Sequence, residues 1–204
     1  MRPGNNSTMS REKTPNQAIS LSMLLLLSNP CWSHGFGGSG LLHPLTGPDH
    51  LLAMLAVGIW SAQVGGQALY LVPGCFMGMM VVGGMVGIYR LVEQSSELII
   101  ALSVALLGLA IQRDKRVSGW IASLSVGSFG FCHGLTHGLE RNQAVAPATY
   151  LLGFLVTTLG LHLIGAVSAL LLLENNRGRR HVQWLGLGMA LAGVWLLLNG
   201  PLTG

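Results

Sequence analysis

Charge is what this chain has least of. Asp, Glu, Lys and Arg together make up 9% of its 204 residues, where a soluble domain carries about 25%. A surface so poor in charge excludes an ordinary water-exposed globule. Aromatic residues are also few, at 6%. Of the three cysteines, Cys31 falls in a leader described below, and Cys75 and Cys132 sit in apolar surroundings, which excludes a disulfide framework. There is no G-x-x-x-x-G-K-[ST] stretch to cradle a nucleotide, so hydrolysis of ATP is not expected. The formal charge of +4 comes from short basic clusters between apolar runs, and no nucleic-acid partner is expected. What the chain has instead is apolar residues, 50% of the total, and 29 glycines without a collagen-like period. That balance predicts an all-α integral membrane protein whose first partner is the lipid bilayer.

The N-terminus reads as a cleavable signal peptide over residues 1–33. Arg11 and Lys13 precede the apolar run Leu21–Leu27, which is too short to span a bilayer but fits an h-region, and Cys31 and Ser33 place small residues before a cut at His34. The remainder, residues 34–204, is expected to form one domain with six transmembrane helices near 45–63, 68–89, 96–111, 118–138, 148–173 and 182–199. Cleavage puts the mature N-terminus outside, and with six spans the C-terminus outside as well. Arg113, Lys115, Arg116, Arg177, Arg179 and Arg180 then face the cytoplasm, and Arg90 and Arg141 face outward, as the positive-inside rule requires. The expected location is the cytoplasmic (inner) membrane of a bacterium. Glycines at four-residue intervals (Gly74 and Gly78; Gly83 and Gly87; Gly130, Gly134 and Gly138) predict close helix–helix packing. The methionines Met77, Met79 and Met80 are read as packing filler.

Ionisable groups inside an apolar bundle are expensive, and here they cluster. The stretch HPLTGPDHLLAM (43–54) holds His43, Asp49 and His50 at the mouth of the first span. Thr46 is positioned to cap that helix, Pro48 suits its first turn, and Asp49 complements the N-terminal dipole. Capping leaves the two histidines unexplained. In CHGLTHGLE (132–140), His133 and His137 are four residues apart and share one helix face, a common two-point metal platform, with Glu140 following. In TTLGLHLIG (157–165), Thr158 and His162 lie one turn apart; a histidine so placed serves equally as a packing group or a ligand. With His34, these groups gather toward the outer face. Imidazole suits nickel, cobalt, zinc and copper, and the ligands alone do not choose among them.

At these residues the chain resembles a known family. HPLTGPDHLLAMLAVGIWSAQVGG is similar to the first-helix signature of the HupE/UreJ hydrogenase/urease accessory membrane proteins, and CHGLTHGLE and TTLGLHLIG resemble that family's second and third motifs. The resemblance runs over nearly the whole mature chain. It implies a secondary permease for nickel, or next for cobalt, with His43, Asp49, His50, His133, His137, Glu140 and His162 on the metal path. The second motif often reads H-G-H-A-H-G in the family, whereas Leu135 and Thr136 stand in its middle here. Together these readings predict a divalent-metal importer that is not an enzyme and holds no resident cofactor, with nickel or cobalt as cargo. Two alternatives remain: an intramembrane zinc hydrolase built on the H-x-x-x-H pair, and a metal-binding accessory to hydrogenase or urease maturation that does not transport.

Overall fold

The computed structural model describes residues 40–91, 97–141 and 146–199; the expected signal peptide (1–33) and His34 lie outside the described residues. Among the described residues the chain is all-helical. In order the helices are α1 (His43–Thr46), α2 (Pro48–Val64), α3 (Ala68–Ile88), α4 (Glu97–Arg113), α5 (Gly119–Glu140), α6 (Pro147–Leu173) and α7 (Asn176–Asn199). Three of them, α3, α6 and α7, are long and apolar enough to cross a membrane.

The helix limits have local causes. Gly47 separates α1 from α2 in an extended conformation (φ −90°, ψ 116°), because a residue preceding proline is pushed out of the helical region. The first long helix therefore starts at Pro48 rather than at residue 45. Gly65 and Gly66, at φ +72° and +57°, turn the chain from α2 into α3 in a conformation that favours glycine. The helix α7 begins six residues earlier than hydropathy suggests. Asn175 accepts the Gly178 N–H on its side-chain oxygen (2.8 Å), and its carbonyl accepts the Arg179 N–H (3.0 Å). This cap draws the arginine-rich segment into helix.

Backbones approach closely in three pairs. In α3–α5, which run parallel, a Cβ on Gly130, Gly134 or Gly138 would strike the carbonyls of Phe76, Met80 and Gly84, and one on Gly83 or Gly87 would strike those of Phe131 and Leu135. In α2–α6, also parallel, Gly58 lies against the His162 carbonyl and Gly165 against that of Leu55. In the antiparallel pair α4–α7, Gly108, Gly186 and Gly193 do the same. Glycine permits these approaches where lipid supplies no hydrophobic drive. Gly74 and Gly78 differ from the sequence expectation: nothing lies within 4 Å of a Cβ at either. Their four-residue spacing marks the face of α3 that turns away from α5.

The apolar core, with Met54, Val57, Val72, Phe76, Met80, Leu107, Ile111 and Phe154, also holds a few polar groups, and the exterior is apolar as well. His133, Thr136, His137, Thr158 and His162 are buried, while Leu124, Leu152, Leu163, Ile164, Leu171, Leu191 and Leu198 are exposed. At one end of the bundle, Gln63 Nε2 donates to the Ile111 carbonyl (3.1 Å) and to Asp114 Oδ1 (3.3 Å), and Arg179 pairs with Asp114 Oδ2 (2.7 Å). Arg113, Lys115, Arg116, Arg177 and Arg180 flank these groups along the chain. The ion pair is half exposed on the arginine side and contributes little energy, but it ties together the ends of α2, α4 and α7. The histidines of α2 and α5 lie toward the opposite end.

Candidate functional site

Four helices build the site. The first turn of α2 supplies Asp49 and His50. Gly47, not Thr46, holds the N-cap position and has no side chain to cap with; Thr46 is the last residue of α1. Asp49 Oδ1 accepts two hydrogen bonds from His50, one from its backbone N–H (2.8 Å) and one from Nδ1–H of its ring (2.7 Å). A carboxylate can only accept, so Nδ1 carries the proton and Nε2 of the neutral ring carries the lone pair. Asp49 thus orients the imidazole as carboxylates orient metal-binding histidines.

The last two turns of α5 supply His133 and His137, both buried. His133 Nδ1–H donates to the Phe129 carbonyl one turn earlier (2.9 Å), which again leaves Nε2 as the lone-pair nitrogen. That atom is buried and has no hydrogen-bond partner among the described residues. The i, i+4 spacing brings both rings to His50: the His50 and His137 centroids are 4.4 Å apart and those of His50 and His133 5.4 Å apart, each pair edge to face.

The helix α6 adds Phe154, His162 and Thr158. Phe154 lies 4.0 Å from the His137 ring. His162 does not join the other histidines directly. The Phe76 ring of α3 touches both, 5.2 Å from His133 and 5.2 Å from His162. Both His162 nitrogens and the neighbouring Thr158 Oγ1 are buried and without hydrogen-bond partners among the described residues. The rings form one continuous series: Phe154, His137, His50, His133, Phe76, His162.

Of the residues expected at the site, Asp49, His50, His133 and His137 are brought together, and His162 is linked to them through its contact with Phe76. Glu140 is the exposed last residue of α5, about 4.5 Å of helix rise beyond His137. His43 opens α1, and His34 lies outside the described residues. Among the described residues, no three His, Cys, Asp or Glu side chains surround one point as a set able to hold an ion. The imidazoles instead follow one another by pairwise ring contact, His137 to His50 to His133. Leu135, in the middle of the second motif, is about 200° around the helix from His133, so its side chain is on the other face and its identity subtracts no donor from the cluster. Sequence reasoning missed Phe76 and Phe154, which carry no polar signal inside apolar runs.

Long apolar helices, a leucine-rich exterior and four buried histidines in an otherwise apolar core define a multi-pass membrane protein. Residues 23–196 match the family described as HupE / UreJ protein, and the chain belongs to that family. It is 38% identical over 161 residues to Protein HupE of Rhizobium leguminosarum bv. viciae, an alignment that covers 79% of this chain and 84% of that protein. No solved structure matches the chain at a significant level. The family is associated with nickel or cobalt uptake or with accessory function.

Proposed function

We propose that this protein is a secondary permease that brings a divalent transition metal, nickel first and cobalt next, across the bacterial inner membrane. The observation that carries the proposal is the pair of buried imidazoles, His50 and His133, each held by Nδ1 so that Nε2 is the donor. Imidazole nitrogen suits these ions, whereas magnesium or calcium prefers oxygen. His34, His43, Asp49 and His50 capture the ion at the outer face and replace part of its water. His133 and His137 take it over, and His162 is the next station inward. Donors in successive contact suit a passing cargo, which must bind tightly enough to enter and weakly enough to leave. A resident catalytic zinc needs three firm ligands at one point.

In this reading the six long helices are six spans. The histidine end faces outward and the basic end, at Arg113–Arg116 and Arg177–Arg180, faces the cytoplasm, in keeping with the positive-inside rule. Both termini of the mature chain are outside. Exposed Tyr70, Trp120 and Trp184 toward the basic end, and Tyr89 and Trp195 toward the other, suit the two interfaces.

Purified protein in sealed vesicles with a metal indicator in the lumen tests the proposal. Wild-type protein is expected to load the lumen with nickel or cobalt, and His50→Ala and His137→Ala each to abolish loading while inserting normally. An accessory protein binds metal and leaves the lumen empty, and a hydrolase retains zinc and cleaves lipid. Normal transport by both variants would show that the ring cluster is not the path.

A further inference from the structure

Phe76 occupies a position where an apolar ring is an unexpected choice. It lies in the run PGCFMGMM of α3, a stretch that otherwise reads as packing. Its side chain is fully buried. It touches the rings of His133, whose Nε2 has no hydrogen-bond partner among the described residues, and of His162, with neither nitrogen partnered; Thr158, one turn before His162 on α6, has an Oγ1 likewise unpartnered. The two imidazoles meet the phenyl ring edge to face, at interplanar angles of 61° and 80°. Buried polar atoms ordinarily find partners, and leaving them without is costly. A serine, asparagine or ordered water in place of the ring would satisfy several of them at once. The ring satisfies none of them, and it is the ring that both imidazoles touch.

Backbone packing leaves Phe76 little room to move as a whole. Its carbonyl lies against Gly130 of α5, where even a Cβ would not fit. Opening a route from His133 to His162 therefore falls to rotation of the side chain.

We propose that Phe76 is the barrier of the path: an apolar gate between an outer nitrogen station (His50, His133, His137) and an inner one (His162 with Thr158). The gate rests on the permease reading for its cargo. A closed ring interrupts any file of water between the stations, so neither protons nor ions that keep their water shell pass. An ion that has exchanged water for imidazole moves inward when the ring swings aside, and the electron-rich ring face tolerates a cation in transit. Selection for nitrogen-loving ions is thereby made at the ring as well as at the histidines.

The test uses the full chain in sealed vesicles, with lumenal indicators for nickel, magnesium and pH. Phe76→Ala opens a cavity bordered by polar atoms, of the kind that takes up water. Vesicles holding this variant are expected to leak protons at least tenfold faster than wild type and to admit magnesium, which the wild type excludes. Phe76→Trp is expected to slow nickel loading at least tenfold while the detergent-purified protein still binds nickel as the wild type does. Should Phe76→Ala fail to insert, Phe76→Val is read in the same way. Vesicles of the small-residue variant as tight to protons and magnesium as wild type would overturn the gate, as would wild-type nickel loading by Phe76→Trp. A wild type that moves no metal sinks the permease reading alone, because a proton leak specific to the small-residue variant still identifies the ring as the barrier.

Discussion

On the proposed path, Asp49 would act on the metal through His50. Its Oδ1 holds the ring Nδ1–H at 2.7 Å, which fixes both the tautomer and the direction of the lone pair. Replacing such a partner typically weakens metal binding ~10–100-fold without removing the ligand. Asp49→Asn is accordingly expected to lower nickel uptake at subsaturating concentrations ~10-fold or more and to leave saturated uptake closer to wild type. A concentration series in vesicles measures this, and an unchanged half-saturation would argue against the orienting role. His50, His133 and His137 were legible in the sequence because ionisable groups in apolar helices are rare and the i, i+4 spacing fixes a shared face. The cap was read wrongly: Thr46 is the right residue type, but Pro48 forces Gly47 out of helix and gives it the cap position. Phe76 was illegible because its role depends on which polar atoms flank it from two other helices.

At the scale of the element, the glycine faces decide where the functional rings stand. Gly134 sits between His133 and Leu135 with its missing Cβ against the Met80 carbonyl. A branched side chain there pries α3 from α5 and shifts Phe76 relative to His133. Overpacking of this kind costs about 1–3 kcal/mol and sometimes more. Gly134→Val is expected to lower the unfolding temperature in detergent and to abolish uptake. Gly74→Ala, where a Cβ meets nothing, is expected to leave uptake intact and stability unchanged or raised by up to about 1 kcal/mol, from glycine's helix penalty. Thermal melts of the two variants side by side provide the check. Helix limits were largely readable: 68–89 was expected for α3 and Ala68–Ile88 is found, 148–173 for α6 and Pro147–Leu173 is found. The start of α7 was not, because three arginines within four residues resemble a loop until the Asn175 cap is seen. Glycine spacing showed that some face of each helix packs closely but not which helix it meets, and at Gly74 and Gly78 it pointed to the wrong face.

For the whole molecule, the proposed orientation makes the membrane potential the driving force. A divalent ion moving inward through 100 mV gains ~4.6 kcal/mol, twice the value for one charge, or more than three decades of accumulation at about 1.4 kcal/mol per decade. Vesicles energised negative inside are expected to concentrate nickel, and to do no better than equilibrate it once the potential is collapsed by an ionophore, with ATP making no difference. Accumulation that survives the collapse would require another coupling. The pairing of α2 with α6, α3 with α5 and α4 with α7 has a consequence for biogenesis. During synthesis α3 meets its partner after one intervening long helix, whereas α2 waits until α6, and with it His162, has left the ribosome. His50 meets His133 only after α5 has followed it into the bilayer. A chain interrupted before α6 thus lacks both His162 and the Phe154 ring beside His137. On the proposed path, the order of assembly keeps an unfinished protein from offering a complete metal route.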